Sequence, residues 1–121
     1  MKLFIIKIMK RKSKIDRIFS EISKERGRRA EKIAEDVLNQ MMENGEIVSF
    51  YKTNKRLDKF QGIDFVIITI NGEKIPIQIK SSEKGAETHL KNFPQVPVIV
   101  IQPYESYESI KNKIRNLINV E

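Results

Sequence analysis

Residues 63 to 70, reading IDFVIITI, constrain the fold of this chain more than any other stretch. An almost continuous β-branched apolar run of this length reads as a strand covered on both faces. A lone carboxylate inside it, Asp64, costs free energy unless it finds a partner. A metal ion would serve. The next run, residues 75 to 80, alternates Ile75, Ile77 and Ile79 with Pro76, Gln78 and Lys80, the period of a strand with one polar face. Gln78 and Lys80 therefore point the same way.

Whether Asp64 joins them depends on register. A two-residue turn at Asn71-Gly72 sets Ile70 opposite Glu73 and turns Asp64 away from Gln78. A three-residue loop with Ile70 opposite Lys74 places Asp64 opposite Lys80, with Gln78 two positions along on the same face. The expectation is that longer loop, or a bulge. Pro76, which has no N–H to give to a ladder, favours an irregularity in the same region.

The chain has 121 residues, which suits one domain over residues 1–121 with a single core. It has no cysteine, which excludes disulfide frameworks, thiolate zinc sites and cysteine nucleophiles. The single histidine, His89, cannot build a histidine-rich metal site and is expected on the surface of a helix. Residues 1 to 32 carry 12 basic and 4 acidic side chains, while the remainder of the chain is close to neutral. A positive region concentrated in this way suits a polyanion such as nucleic acid, or less often an acidic membrane surface; the plain alternative is a solubilising face. Abundant Ile, Lys and Glu without Cys or Trp also fits a thermophile.

Residues 3 to 9, LFIIKIM, are too short and too interrupted for a signal peptide or a membrane span, so a cytoplasmic protein with no membrane partner is expected. They fit either a short strand or a partner-binding arm, with residues 1–13 as a flexible basic arm and Met9 as an alternative start. Ile15, Ile18, Phe19 and Ile22 recur at helical spacing, as do Ala30, Ile33, Ala34, Val37, Leu38 and Met41, ending near Asn44-Gly45. The reading is two helices hinged at Gly27 or one long helix bent there. A strand at 46–52, a basic loop at 53–61 and strands at 63–70 and 75–81 follow. Next come a short helix at 83–92, a fully buried strand at 96–102 parallel to the third, and a closing helix through Ile110, Ile114, Leu117 and Ile118.

The order is α-β-β-β-α-β-α in an α/β chain, with Asp64 on the second strand and Gln78-x-Lys80 on the third. In this arrangement the chain resembles the PD-(D/E)XK nuclease superfamily over about residues 27 to 102. The segment Gly27-Arg28-Arg29-Ala30-Glu31 is similar to the first helix of archaeal Holliday junction resolvases and related small nucleases. The resemblance implies a restriction endonuclease-like core, a mixed four-stranded sheet flanked by helices. It also implies a metal-dependent DNA endonuclease using Mg²⁺ or Mn²⁺, a homodimer, and no small-molecule cofactor.

Residue by residue, the resemblance makes Asp64 a direct metal ligand, with Gln78 in the place of the family's second acid and the Ile79 carbonyl beside it. Lys80 would orient or help deprotonate the attacking water. Glu31 would bind metal through water or hold Lys80. The sequence departs from the family at Gln78, a neutral side chain that weakens metal binding, and at Ile63, which replaces the motif's leading proline. Lys24, Arg26, Arg28 and Arg29, then Lys55 and Arg56 before Asp64, and Ser81, Ser82 and Lys84 after Lys80 are candidate phosphate contacts. Few aromatics are available for stacking on single-stranded bases. The rival readings are a nuclease-fold module that binds nucleic acid without cutting it, favoured by Gln78, and an interaction subunit docking through residues 1–9.

Overall fold

The computed structural model describes residues 2–54 and 61–119, with side chains from residue 14 onward. Helix α1 (Lys2–Glu43) leads to strands β1 (Ser49–Lys52), β2 (Phe65–Ile68) and β3 (Lys74–Lys80). Helix α2 (Glu83–Asn92), strand β4 (Val98–Val100) and helix α3 (Tyr107–Ile118) follow. The sheet order is β1-β2-β3-β4. The first three strands form an antiparallel meander, and β4 returns parallel to β3 after the α2 crossover. The chain is thus α/β, a mixed four-stranded sheet flanked by helices, in the element order expected.

One buried cluster joins α1 (Ala30, Ala34, Val37, Leu38, Met41) and α3 (Ile110, Ile114) to Phe65, Ile67, Ile77 and Ile79 of the sheet. These strand residues share one parity, so α1 and α3 cover one face. The other face carries Val66, Pro76, Gln78 and Lys80, and α2 packs there through Ala86 and His89, which stand outside the cluster. Ser82 caps α2 by accepting from the Gly85 N–H at 3.1 Å, which starts that helix where the sequence places it.

Several expectations are corrected. Residues 3–9 are helical rather than a strand, and α1 continues through Gly27 without a break. At 42 residues it is about 60 Å long, longer than the sheet it covers. Its stripe Ile15, Ile18, Phe19 and Ile22 is therefore not core, and Phe19 is 63% exposed. Strand β4 is an edge strand in which Ile99 is buried while Val98 and Val100 are half-buried. His89 lies on a helix as expected but is only 5% exposed, stacked on Phe93 with ring centroids 5.2 Å apart. Among the described residues, no helix is long and apolar enough to cross a membrane.

The β2–β3 loop has the three-residue length expected, but begins one residue early, at Ile70. Thr69 N–H donates to the Glu73 carbonyl at 2.9 Å, and the Thr69 hydroxyl accepts from Glu73 N–H at 3.1 Å. Gly72 supplies the left-handed turn residue at φ 82°. Ile70 is thereby an exposed tip residue rather than part of the strand. The pairing Phe65 with Ile77 and Ile68 with Lys74 shifts the register by two, which preserves the faces of the paired residues, and Asp64 falls just beyond the pairing rather than opposite Lys80.

Gly62, two residues before Asp64, sits at φ 66°, and a Cβ there would lie 2.6 Å from Phe93 Cδ2 and 2.7 Å from His89 Cε1. Gly62→Ala therefore combines a strained backbone with a clash against α2 and should destabilise by about 2–4 kcal/mol. Gly45→Ala, with a similar φ of 77° and nothing within 4 Å, should lose only about 1–2 kcal/mol. Thermal or urea unfolding of the two variants checks this. Equal losses would show that the α2 contact at Gly62 is not tight.

Candidate functional site

The site forms where β2 begins and β3 ends. Asp64 is held from both sides through its backbone. Its N–H donates to the Ile77 carbonyl at 2.8 Å, and its carbonyl accepts from Thr53 N–H at 2.9 Å and from the Thr53 hydroxyl at 3.1 Å. The Thr53 hydroxyl also reaches the Ile63 carbonyl. Asp64 Oδ2 accepts from the Ile79 N–H at 2.8 Å, taking the place a strand carbonyl would fill in a regular ladder. The irregularity anticipated near Pro76 thus falls at the Asp64 end. At 3% exposure the carboxylate is out of water, where such hydrogen bonds are what make its burial tolerable.

Asp64 lies just beyond the regular pairing and bonds to Ile77 and Ile79, the two neighbours of Gln78 on β3, while Gln78 and Lys80 share one face of that strand. Gln78 is 7% exposed, and its Oε1 is buried with no hydrogen-bond partner among the described residues. An orphaned buried oxygen is uncommon and points to a donor or cation. The N–H and C=O of one strand residue point to the same neighbouring strand, so the Ile79 carbonyl is directed to the Asp64 side. A carboxylate, an amide oxygen and a strand carbonyl are hard oxygen donors. They fit Mg²⁺ or Mn²⁺, which take one or two carboxylates and keep several waters. Among the described residues no group of three or more His, Asp or Glu side chains gathers, so an all-protein cage is not formed there.

Lys80 is half-buried and forms no ion pair among the described residues; its chain packs along Gly85 at the start of α2. Glu31 is not brought to it. Its Oε2 lies 3.9 Å from Lys52 Nζ, on the α1 side of the sheet, so the expectation that Glu31 holds Lys80 is not met. The reason is parity: Lys52 pairs with Phe65 and shares its face, whereas Gln78 and Lys80 occupy the opposite one.

The expected phosphate contacts separate into groups. Lys24, Arg26, Arg28 and Arg29 are all exposed on α1, but the helix distributes them around its circumference. Arg28 and Arg29 lie near Glu25 at 3.9 and 3.4 Å. Arg26 and Arg29 border a groove with Ser81. Ser82 is engaged as the α2 cap, and Lys84 is exposed in the first turn of that helix. Lys55 and Arg56 lie outside the described residues.

Three contributors escaped sequence reasoning. Thr53 clamps Asp64 from the neighbouring strand, but a lone threonine in a polar loop carries no signal. His89 lies against Gly62, whereas the sequence reading sets it on the surface. Tyr104 stands fully exposed beside Gln102; its only sequence signal is an aromatic placed in a turn. Comparison of the chain with protein-family models, with characterised proteins and with solved structures found no match.

Proposed function

We propose that this chain is a Mg²⁺- or Mn²⁺-dependent DNA endonuclease of the PD-(D/E)XK type, with a restriction endonuclease-like core, hydrolysing phosphodiesters in duplex or branched DNA. The observation that carries the reading is the buried Asp64 carboxylate bonded to the Ile79 N–H, next in the chain to Gln78, whose Oε1 is buried with no hydrogen-bond partner among the described residues; Lys80 shares the β3 face of Gln78. Asp64, Gln78 Oε1 and the Ile79 carbonyl would hold the ion. When bound, it supplies a water nucleophile reactive near neutral pH and compensates charge on the phosphate oxygens.

The chain's own groups divide the remaining work. Ile79 N–H and Thr53 fix the Asp64 carboxylate and backbone, so the ligand does not reorganise as substrate arrives. The Lys80 ammonium orients water toward phosphorus and offsets the growing negative charge. Its stem is positioned by the start of α2. Exposed Lys24, Arg28 and Lys84 supply sequence-independent phosphate contacts.

A second reading has a specific observation behind it. Among the described residues the site presents a single carboxylate, Asp64, and the neutral Gln78 binds a cation less strongly than an acid would, so the same fold could hold nucleic acid without cutting it. The test is cleavage of labelled duplex, single-stranded and four-way-junction DNA with Mg²⁺ or Mn²⁺, using wild type, Asp64→Asn and Lys80→Ala. Asp64→Asn keeps an acceptor for the Ile79 N–H while removing the charge. Metal-dependent cutting by wild type, reduced about 10²-fold or more in both variants, supports the enzyme. Salt-sensitive binding without cutting replaces it with the binding module.

A homodimer belongs to this proposal, since one site meets one strand. Ile15, Ile18, Phe19 and Ile22 form an exposed apolar stripe at coiled-coil spacing. Lys14 and Glu21 lie on one flank of it, and an antiparallel pair sets each Lys14 beside the Glu21 of the other copy. In analytical ultracentrifugation wild type should sediment as a dimer and an Ile18→Lys, Phe19→Lys variant as a monomer. Monomeric wild type at micromolar concentration would contradict the pairing.

A further inference from the structure

Where the parallel strands β3 and β4 end, their following residues and α1 enclose a groove of about 500 Å³. The carboxyl ends of parallel strands are the usual place for a ligand in α/β sheets. Ala30, Ile33 and Ile101 make an apolar floor, Arg26 and Arg29 a cationic wall, and Tyr104 the far rim. Arg26 forms no ion pair among the described residues, and Arg29 has only the exposed contact to Glu25. Ser81 lines the same groove and brings a neutral hydroxyl donor to it.

Tyr104 is the unusual element. Among the described residues it is the only non-glycine in the left-handed region, at φ 65°, and its side chain is fully exposed. A strained backbone persists when surrounding structure over-determines it, and this turn is tied down in that way. Gln102 N–H donates to Glu105 Oε1 at 3.1 Å, and Glu105 N–H returns to the Gln102 carbonyl at 3.2 Å. Lys113 Nζ lies 2.7 Å from Glu105 Oε2 and donates to the Val100 carbonyl at 2.7 Å, while the Ser109 hydroxyl donates to Glu105 Oε2 at 2.7 Å. Burial pushes the Glu105 carboxyl up, and the bonds from Lys113, Gln102 and Ser109 more than reverse it, holding it below its ordinary value. A tied-down turn therefore presents a bare aromatic side chain at the rim of a groove that two arginines and an apolar floor also line.

We propose that this groove is a nucleotide pocket that takes one unstacked nucleotide, its phosphate on Arg26, Arg29 and the Ser81 hydroxyl and its base on the Tyr104 ring. Base-on-aromatic stacking with arginine on the backbone is how unpaired nucleotides are held, and a base inside an intact duplex cannot reach a ring in this position. Ser81 directly follows Lys80, so the pocket adjoins the site of cleavage from the opposite face of β3. The inference rests on the nucleic-acid reading above and narrows it to strands with an unpaired nucleotide: single strands, overhangs and branch points.

The test is anisotropy of labelled oligonucleotides of one length, single-stranded or blunt duplex, in metal-free buffer containing EDTA. Wild type, Tyr104→Gly and Arg26→Ala/Arg29→Ala are compared. Glycine suits the left-handed backbone, so Tyr104→Gly should unfold no earlier than wild type yet bind single strands about 5- to 100-fold more weakly, with duplex affinity changed less than about two-fold. The double arginine variant should lower the salt slope of single-strand binding by about 1–2. Competition by a free mononucleotide marks a nucleotide as sufficient, and competition by oligonucleotides alone marks the strand as the ligand; both support the pocket. Unchanged single-strand affinity in Tyr104→Gly, or displacement by polyglutamate but not by oligonucleotides, overturns it. If wild type cuts DNA while Tyr104→Gly binds normally, the pocket alone falls. If wild type binds no nucleic acid, the pocket and the nuclease reading fall together.

Discussion

The hydrogen bond from Ile79 N–H to the buried Asp64 carboxylate is the contact on which the site depends. A carboxylate removed from water is destabilising until its lone pairs are satisfied. Here the satisfaction comes from the strand that also bears Gln78 and Lys80. The same bond closes the β2–β3 ladder at the point where regular pairing ends, so the architecture of the sheet and the aim of the carboxylate are one problem. Thr53 completes the clamp from β1's side. Side chains held in this way lose little freedom when a ligand arrives, which is the advantage of building a site on strands rather than loops.

The end of β3 then works on two faces. Residues 78 and 80 face α2, while residue 81, one step beyond, faces α1 and the groove bordered by Arg26 and Arg29. Helix α1 serves both roles through length. Its last turns bury Ala34, Val37, Leu38 and Met41 completely, which anchors the preceding turns that carry Arg26, Arg28 and Arg29 and the exposed apolar stripe. A shorter helix would cover the core equally well; the surplus length is the surface on which the proposed phosphate contacts and the proposed pairing of two copies rest.

Much of this was legible from residues. Element order followed from periodicity, and the short helix expected at 83–92 is the one found, whereas Ser82, read as a phosphate contact, is its cap. The common face of Gln78 and Lys80 followed from a period of two. Loop placement did not, because Ile70 is β-branched and reads as strand, whereas the Thr69 hydroxyl and Gly72 decide where the turn closes. His89 was misplaced because a solitary polar residue on a short helix is usually solvated; only the close approach of Gly62 shows why this one is covered. The stripe at residues 15 to 22 has core spacing, but periodicity identifies an apolar face and not what lies opposite. Glu31 was drawn to Lys80 by family resemblance, and the sheet's pleat assigns it to Lys52.

The central claim is that Asp64, Gln78 and Ile79 together hold a hard divalent cation, and Mn²⁺ titration followed by amide NMR tests it most directly. The account predicts that substoichiometric Mn²⁺ broadens the signals of Asp64, Gln78, Ile79 and Lys80 first, and that Asp64→Asn abolishes this while the protein stays folded. Broadening centred elsewhere, or equal broadening in wild type and Asp64→Asn, would contradict it.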